Sequence, residues 1–223
     1  MKVFCSWSGG KDSALACYRA KQQGCEVAYL LTILATTGRY SRSHRLSREI
    51  LLAQAEAVEI ATHHRCASWN TYEKEFNKAL SFFRNEGIAR GVFGDLDLEE
   101  HRKWVQGRCA RRDIMPLFPL WNQKREGLLR QLVEVGFEAV VIAIKDNVLD
   151  RTWLGRRIDE KFIDAEQEAG IDVCGENGEY HTLVVDGPIF SKKIHIGESR
   201  TVRRDGMNFL KIADFKLEEK GNG

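Results

Sequence analysis

The chain has 223 residues, 43% hydrophobic and 30% charged, with 34 Lys plus Arg against 32 Asp plus Glu and a net charge of +2. That length suits one large domain or one domain with an appendage, and the apolar fraction excludes a disordered chain. Balanced charge argues against a general nucleic-acid binder, no run is apolar enough to span a membrane, and the start MKVFCSWSGG lacks a secretory signal, so a cytoplasmic setting is expected.

The first predicted element is a strand from Lys2 to Trp7, running into Ser8-Gly9-Gly10-Lys11-Asp12-Ser13 and then a helix that ends near Gly24. Val27 to Leu34 is apolar nearly throughout, as suits a strand covered on both faces of a parallel sheet. After the polar loop TTGRYSRSH, Leu46, Ile50, Ala53, Ala57 and Ile60 fall at helical spacing. Ala67 to Trp69 is expected as a short strand, Tyr72 to Glu86 as a helix with Phe76, Leu80 and Phe83 on one face, and Gly91 to Gly94 as a strand. Glu99 to Arg112 and Leu128 to Val135 read as helices, and AVVIAI (Ala139 to Ile144) as another buried strand.

Strands alternating with helices predict an α/β fold, a mostly parallel sheet with helices on both faces. The character changes near Asp146: Asp150 to Glu168 is charged and helix-like, and the C-terminal stretch alternates apolar and polar residues as strands do. The expected division is therefore 1–145 and a smaller α+β part, 146–223. The cysteines Cys5, Cys17, Cys25, Cys66, Cys109 and Cys174 make no C-x-x-C pair and read as reduced, mostly buried thiols rather than a zinc site.

The string SGGKDS lies between a predicted strand and a predicted helix. Glycines let the backbone approach an anion closely, and the amides and dipole of a helix start favour phosphate there. Ser8 and Ser13 can donate hydrogen bonds and Lys11 adds a point charge. The spacing is neither the Walker nor the Rossmann pattern. It resembles the SGGxDS loop of the N-type ATP pyrophosphatases. That resemblance implies ATP and Mg²⁺, cleavage between the α and β phosphates, and a loop that holds the departing pyrophosphate.

Three further segments, Ser43-His44-Arg45 leading into REILLAQAEA, GDLDLEEHRKWVQGRC followed by PLFPLW, and CGENGEYHTLVVDGPIF, together resemble the diphthine–ammonia ligase family over almost the whole chain. The resemblance implies an adenine nucleotide α-hydrolase-like first domain and a smaller second domain on the substrate side. It also implies an ATP-dependent amide ligase of diphthamide biosynthesis, which adenylates a carboxylate, releases pyrophosphate and forms an amide with ammonia. Its partners would be ATP, ammonia, and elongation factor 2 or a small carboxylate. The length leaves no room for the extra C-terminal domains of typical eukaryotic members, which implies a short, prokaryotic-type member. Two alternatives stay open: adenylation of another small-molecule or tRNA acceptor, and an ATP or AMP sensor with little turnover. Oligomeric state is also open.

For nucleotide binding the candidates are Ser8, Gly9, Gly10, Lys11, Asp12, Ser13, His44, Gly94 and Asp95. Gly94-Asp95 ends a strand on the sheet edge where α/β ligands bind, and His44 lies in a loop at the same edge. Asp12 is either a helix cap or a Mg²⁺ ligand, and His44 and Asp95 carry equally plain turn or surface readings. Lys11, Asp12, Glu176 and Glu179 are the candidate catalytic residues, since two carboxylates in one glycine-containing turn suit an ammonium, a metal or a base. His101, Arg102, Glu176, Asn177, Glu179, His181 and Thr182 are the candidate substrate contacts, with one of His101 and Arg102 expected to face the cleft.

Overall fold

A computed structural model describes residues 1–168 and 172–221, which form two compact units. The first comprises Met1–Ser8 and Asp12–Gln123; the second comprises Gly9–Lys11 and the chain from Lys124 onward.

In the first unit, β1 (Lys2–Ser6), β2 (Glu26–Ala35), β3 (Ala61–Ala67), β4 (Arg90–Val92) and β5 (Met115–Leu117) make a parallel sheet in the order β3-β2-β1-β4-β5. The crossovers carry α1 (Lys11–Gln22), α2 (Arg48–Ala57), α3 (Tyr72–Asn85) and α4 (Glu99–Ala110). Successive side chains of a strand point to opposite faces. On one face Phe4 of β1 stacks on Phe83 of α3, ring centroids 4.2 Å apart. On the other, Cys5 donates its thiol to the carbonyl of Ser13 in α1 at 3.9 Å, and Trp7 just beyond β1 donates Nε1 to Gln54 of α2 at 2.9 Å. Helices therefore cover both faces, as the apolar run of β2 requires.

The α3/α4 face holds an aromatic core: Phe4, Phe76, Leu80, Phe83, Phe93, Val105 and Cys109 are all buried there. Gly91 lies opposite Phe4 in the β1–β4 register, and a Cβ at Gly91 would come within 2.3 Å of the Phe4 ring. Gly91→Ala should therefore lower stability by about 2 kcal/mol, as overpacking does. A urea midpoint equal to that of the parent would show that Phe4 can move aside.

The second unit holds α5 (Arg125–Glu134), β6 (Glu138–Lys145), α6 (Glu160–Glu168), β7 (Tyr180–Asp186), β8 (Lys192–Ile196), β9 (Ser199–Arg204), β10 (Met207–Ile212) and β11 (Phe215–Glu219). Its sheet runs β7-β6-β10-β9 with every pair antiparallel, and β11 pairs with β8. The units divide at Gln123/Lys124 rather than after Lys145, where the sequence alone places the boundary. The physical reason is β6. It is buried along its length because it is central in the antiparallel sheet, flanked by β7 and β10, and is not a sixth strand of the parallel one.

Two other expectations are corrected. Asp150 to Glu168 is not one helix: a short 3-10 turn spans Arg151–Trp153, Gly155 adopts φ +81, and α6 starts only at Glu160. The third strand is Ala61–Ala67 rather than Ala67 to Trp69, and Trp69 instead opens a 3-10 turn capped by Ser68. Five of the six cysteines are buried and none is in a disulfide; Cys66 is exposed. Among the described residues no helix is long and apolar enough to cross a membrane.

Candidate functional site

In the order β3-β2-β1-β4-β5 the chain moves outward from β1 in both directions, which opens a crevice at the carboxyl ends of β1 and β4. The SGGKDS loop leaves β1 at this point. The Ser8 amide donates to Ser13 Oγ at 3.3 Å, and the two serine hydroxyls lie 3.1 Å apart. Gly9 takes φ +85, open to glycine at no steric cost. From β4, Gly94 presses on the same place: a Cβ there would stand 2.9 Å from the backbone carbon and oxygen of Asp12. Only a residue without a side chain permits that approach.

Beside the loop is a cavity of about 630 Å³. Its floor is the ends of β1 and β2 (Ser6 to Ser8 and Leu31 to Ile33), and one wall is Ser41-Arg42-Ser43. The other wall is aromatic, with Trp69, Tyr72, Phe76 and Trp104 alongside Glu73 and His101. The Arg42 guanidinium lies 4.2 Å from the centre of the Trp69 ring. Thr32 donates its hydroxyl to the Trp7 carbonyl at 2.7 Å, which ties β2 to the start of the loop. Burial first, and the Asp95 carboxylate second, hold Tyr72 above the usual phenol range, so it meets a ligand as a neutral hydroxyl. A pocket of this size with flat aromatic faces and convergent polar groups suits a nucleoside.

Asp95 follows Gly94 and engages His101 of α4, Oδ1 to Nδ1. His101 lines the cavity and Arg102 is not among its lining residues. Arg102 instead lies over the rings of Trp121 at 4.4 Å and Phe118 at 5.6 Å. His44, expected at the site, is also absent from the cavity lining, although its neighbours Ser41, Arg42 and Ser43 are there.

In the second unit Gly9 and Lys11 pack along β7. The Val184 amide donates to the Gly9 carbonyl at 2.9 Å, and the Lys11 amide donates to Thr182 Oγ1 at 3.0 Å. Lys11 is 5% exposed; its Nζ donates to the Cys174 carbonyl at 2.6 Å and sits 5.5 Å from the centre of the Tyr180 ring. Thr182 is itself buried, so its hydroxyl caps the loop rather than facing an open site.

Within CGENGEYHT, Asp172 organises the turn. Its carboxylate accepts from the amides of Cys174 at 3.2 Å and Glu176 at 2.7 Å and from Arg125 at 2.6 Å. Tyr180 donates its hydroxyl to the Val173 carbonyl at 2.6 Å. The Glu179 carboxylate accepts from the Asn177 amide at 3.0 Å and its side-chain nitrogen at 3.1 Å, closing the turn on itself. Gly175 adopts φ +68, and a Cβ on it would meet the Tyr180 ring at 2.9 Å. His181 is pushed down to about 4, by burial first and the Lys11 charge second, so at neutral pH its imidazole is uncharged.

The structure thus brings Ser8, Ser13, Gly94, Asp95 and His101 together around one crevice of the first unit. Lys11, Thr182, His181 and the turn of Glu176, Asn177 and Glu179 meet in the second. Asp172, Tyr180 and the aromatic wall were not singled out from the sequence. For Asp172, spacing gave a usable signal, a short acidic residue two positions before Cys174 and able to accept from the next amides. Trp69, Tyr72 and Trp104 carry no local signal, since they converge from α3, α4 and the turn before α3. Cys109, buried in the aromatic core, has its thiol pushed up to about 12 by that burial and is chemically quiet.

Among the described residues no three His, Cys, Asp or Glu side chains group closely enough to cage a metal. Mg²⁺ needs no such cage; it takes one or two carboxylates and completes its shell with phosphate oxygens and water. Asp12, half-buried in the first turn of α1 where Gly94 packs against its backbone, fits that role.

The profile of the diphthamide synthase N-terminal domain matches residues 1–116, and that of the diphthamide synthase C-terminal domain matches residues 124–217. The chain is similar to the diphthine–ammonia ligase of Homo sapiens, 32% identical, and to that of Rattus norvegicus, 25% identical. Each match covers 99% of this chain and 94% of the relative. These mammalian relatives are therefore about as long as this chain, whereas the match to the diphthine–ammonia ligase of Schizosaccharomyces pombe, 26% identical, covers 95% of this chain and only 39% of that relative. Among solved structures it is similar to a predicted subunit of tRNA methyltransferase from Methanocaldococcus jannaschii, with 20% identity, a TM-score of 0.46, and coverage of 84% of this chain and 97% of that one.

Proposed function

The chain belongs to the diphthamide synthase family, and from that premise we propose that it is an AMP-forming, ATP-dependent amide ligase whose acceptor is the diphthine carboxylate of elongation factor 2. The observation that carries this reading is the cavity of the first unit at the carboxyl ends of its parallel strands, lined by Ser8 where β1 runs into the SGGKDS string. The matched relatives, named as ligases of diphthine and ammonia, support the choice of acceptor.

In this reading the cavity receives the adenosine portion of ATP between its aromatic wall and the ends of β1 and β2. Ser8 and Ser13 donate hydroxyls to phosphate, and the first turn of α1 turns its dipole toward it. Lys11 supplies positive charge as pyrophosphate departs. Asp12 would hold Mg²⁺, which when bound neutralises phosphate charge. The acceptor carboxylate attacks the α-phosphorus and the α–β bridging bond breaks. Ammonia then attacks the acyl carbon, AMP leaves with the bonding electrons, and a proton is released. Glu176 and Glu179, in a turn pinned by Asp172, are the proposed contacts to the acceptor or the ammonium.

The test is to incubate the protein with ATP, Mg²⁺ and ammonium, with and without diphthine-bearing elongation factor 2. AMP that depends on the acceptor, together with the acid-to-amide mass change on that protein, is the expected result. ADP as product, or ATP consumption indifferent to the acceptor, would overturn the reading.

A further inference from the structure

Arg42 lines the cavity of the first unit and has no task in the steps described above. Backbone bonds hold its loop in place: the Arg42 amide donates to the Ile33 carbonyl at 2.9 Å and the Ser41 amide to the Leu46 carbonyl at 2.7 Å. The guanidinium lies 4.2 Å from the centre of the Trp69 ring. Trp69 opens the 3-10 turn before α3 and is 67% exposed, so the pair is not core packing. An exposed stack of this kind is only weakly stabilising by itself, and a purely superficial pair would leave the guanidinium nitrogens to water. Here Nε is buried and has no hydrogen-bond partner among the described residues. A buried donor without an acceptor is costly. Glu73, the acid in the cavity lining, is paired to Arg108 instead. The cavity therefore presents a charged donor, held flat on an indole, whose acceptor must come from a ligand.

We propose that Arg42 binds the α-phosphate of the nucleotide and that Trp69 is its positioning residue, an inference that rests on the ligase reading above, which puts adenosine in this cavity. The planar guanidinium fork matches two phosphate oxygens at once, whereas adenine and ribose offer it no negative charge. The α-phosphate is bonded directly to the nucleoside, so it is the phosphate that a residue of the nucleoside cavity meets; the β and γ phosphates lie beyond it. Ser8 lines the same cavity, which gives that phosphate a hydroxyl as well as a cation. Arg42 then offsets negative charge on the non-bridging α oxygens while the α-phosphorus is attacked. The same contact persists in the AMP product, because those oxygens are retained when pyrophosphate has left.

Calorimetric titration of the whole protein with adenosine, AMP and ATP tests it without any acceptor. The wild type should bind AMP more tightly than adenosine. Arg42→Gln should weaken AMP and ATP by about 30-fold each, the scale of a lost charge-assisted hydrogen bond, and leave adenosine nearly unchanged. Retained adenosine affinity also shows that the cavity of the variant is folded. Arg42→Lys keeps the charge without the fork and should recover only part of the loss. Trp69→Leu should lower the ratio of AMP to adenosine affinity, and Trp69→Phe should restore it, whereas a ring that merely stacked on adenine would weaken both ligands alike. An AMP affinity unchanged in Arg42→Gln overturns this inference alone. So does an equal loss for adenosine and AMP, which would make Arg42 a wall of the nucleoside pocket. An unchanged ratio in Trp69→Leu overturns the positioning role of Trp69. A wild type that binds neither AMP nor ATP overturns the ligase reading and this inference with it.

Discussion

Lys11→Met is expected to reduce AMP-forming turnover by about 100-fold or more, the scale seen when one preorganised donor to developing negative charge is removed. Methionine has nearly the volume of lysine and no charge, so the buried position stays filled. Lys11 is 5% exposed and anchored through Nζ to the Cys174 carbonyl, above the Tyr180 ring. An ammonium has three donors, and the Cys174 carbonyl takes one. That anchor fixes the charge in the loop without the entropy cost of a mobile side chain. The stability change should be small, because the lost charge-assisted hydrogen bond is offset by relief of burying an ammonium. The two quantities separate the roles. A large loss of stability with turnover intact would make Lys11 a strut between the loop and β7. Collapse of turnover at near-parent stability is the expected outcome and assigns it to the chemistry. Lys11→Arg should not rescue, because the larger planar guanidinium does not fit a position this closely packed.

The sequence was most legible where chemistry is local. SGGKDS names its own turn and its own helix start, and the apolar run of β2 and the Phe76, Leu80 and Phe83 face of α3 are buried as their spacing predicts. Burial without direction was less legible. AVVIAI is buried on both faces, but an unbroken apolar run cannot tell a parallel strand from the central strand of a covered antiparallel sheet. β6 is the latter, and with it the division between the units moves from Lys145 to Gln123. β5 escaped notice because it has three residues and contains Pro116, which an edge strand tolerates. At the site, glycines show the same limit. Gly94 is visible as a turn, yet only its distance to the Asp12 backbone explains why no side chain is allowed there. The aromatic wall is illegible for a stronger reason: Trp69, Tyr72 and Trp104 meet only after the crossovers have folded.

His181 should make the stability of the second unit depend on pH between about 4 and the ordinary histidine range near 6.5, with more acid conditions less favourable. Burial and then the Lys11 charge hold its folded value at about 4, while the unfolded chain takes up a proton near the ordinary value. Between those limits the unfolded state binds more protons, so stability is intact above the window and is lost as the pH falls through it. The full span is at most about 3 kcal/mol, and less because the ring is only half-buried rather than sealed. His181→Gln should flatten that slope in urea titrations taken at intervals across the window. Lys11→Met should flatten it partly, since removing the ammonium removes the smaller of the two causes and leaves burial. The double variant should behave as His181→Gln alone. If instead the two single variants flatten the slope additively, the pH dependence has a source other than the Lys11–His181 pair, and the loop and β7 are not electrostatically linked through it.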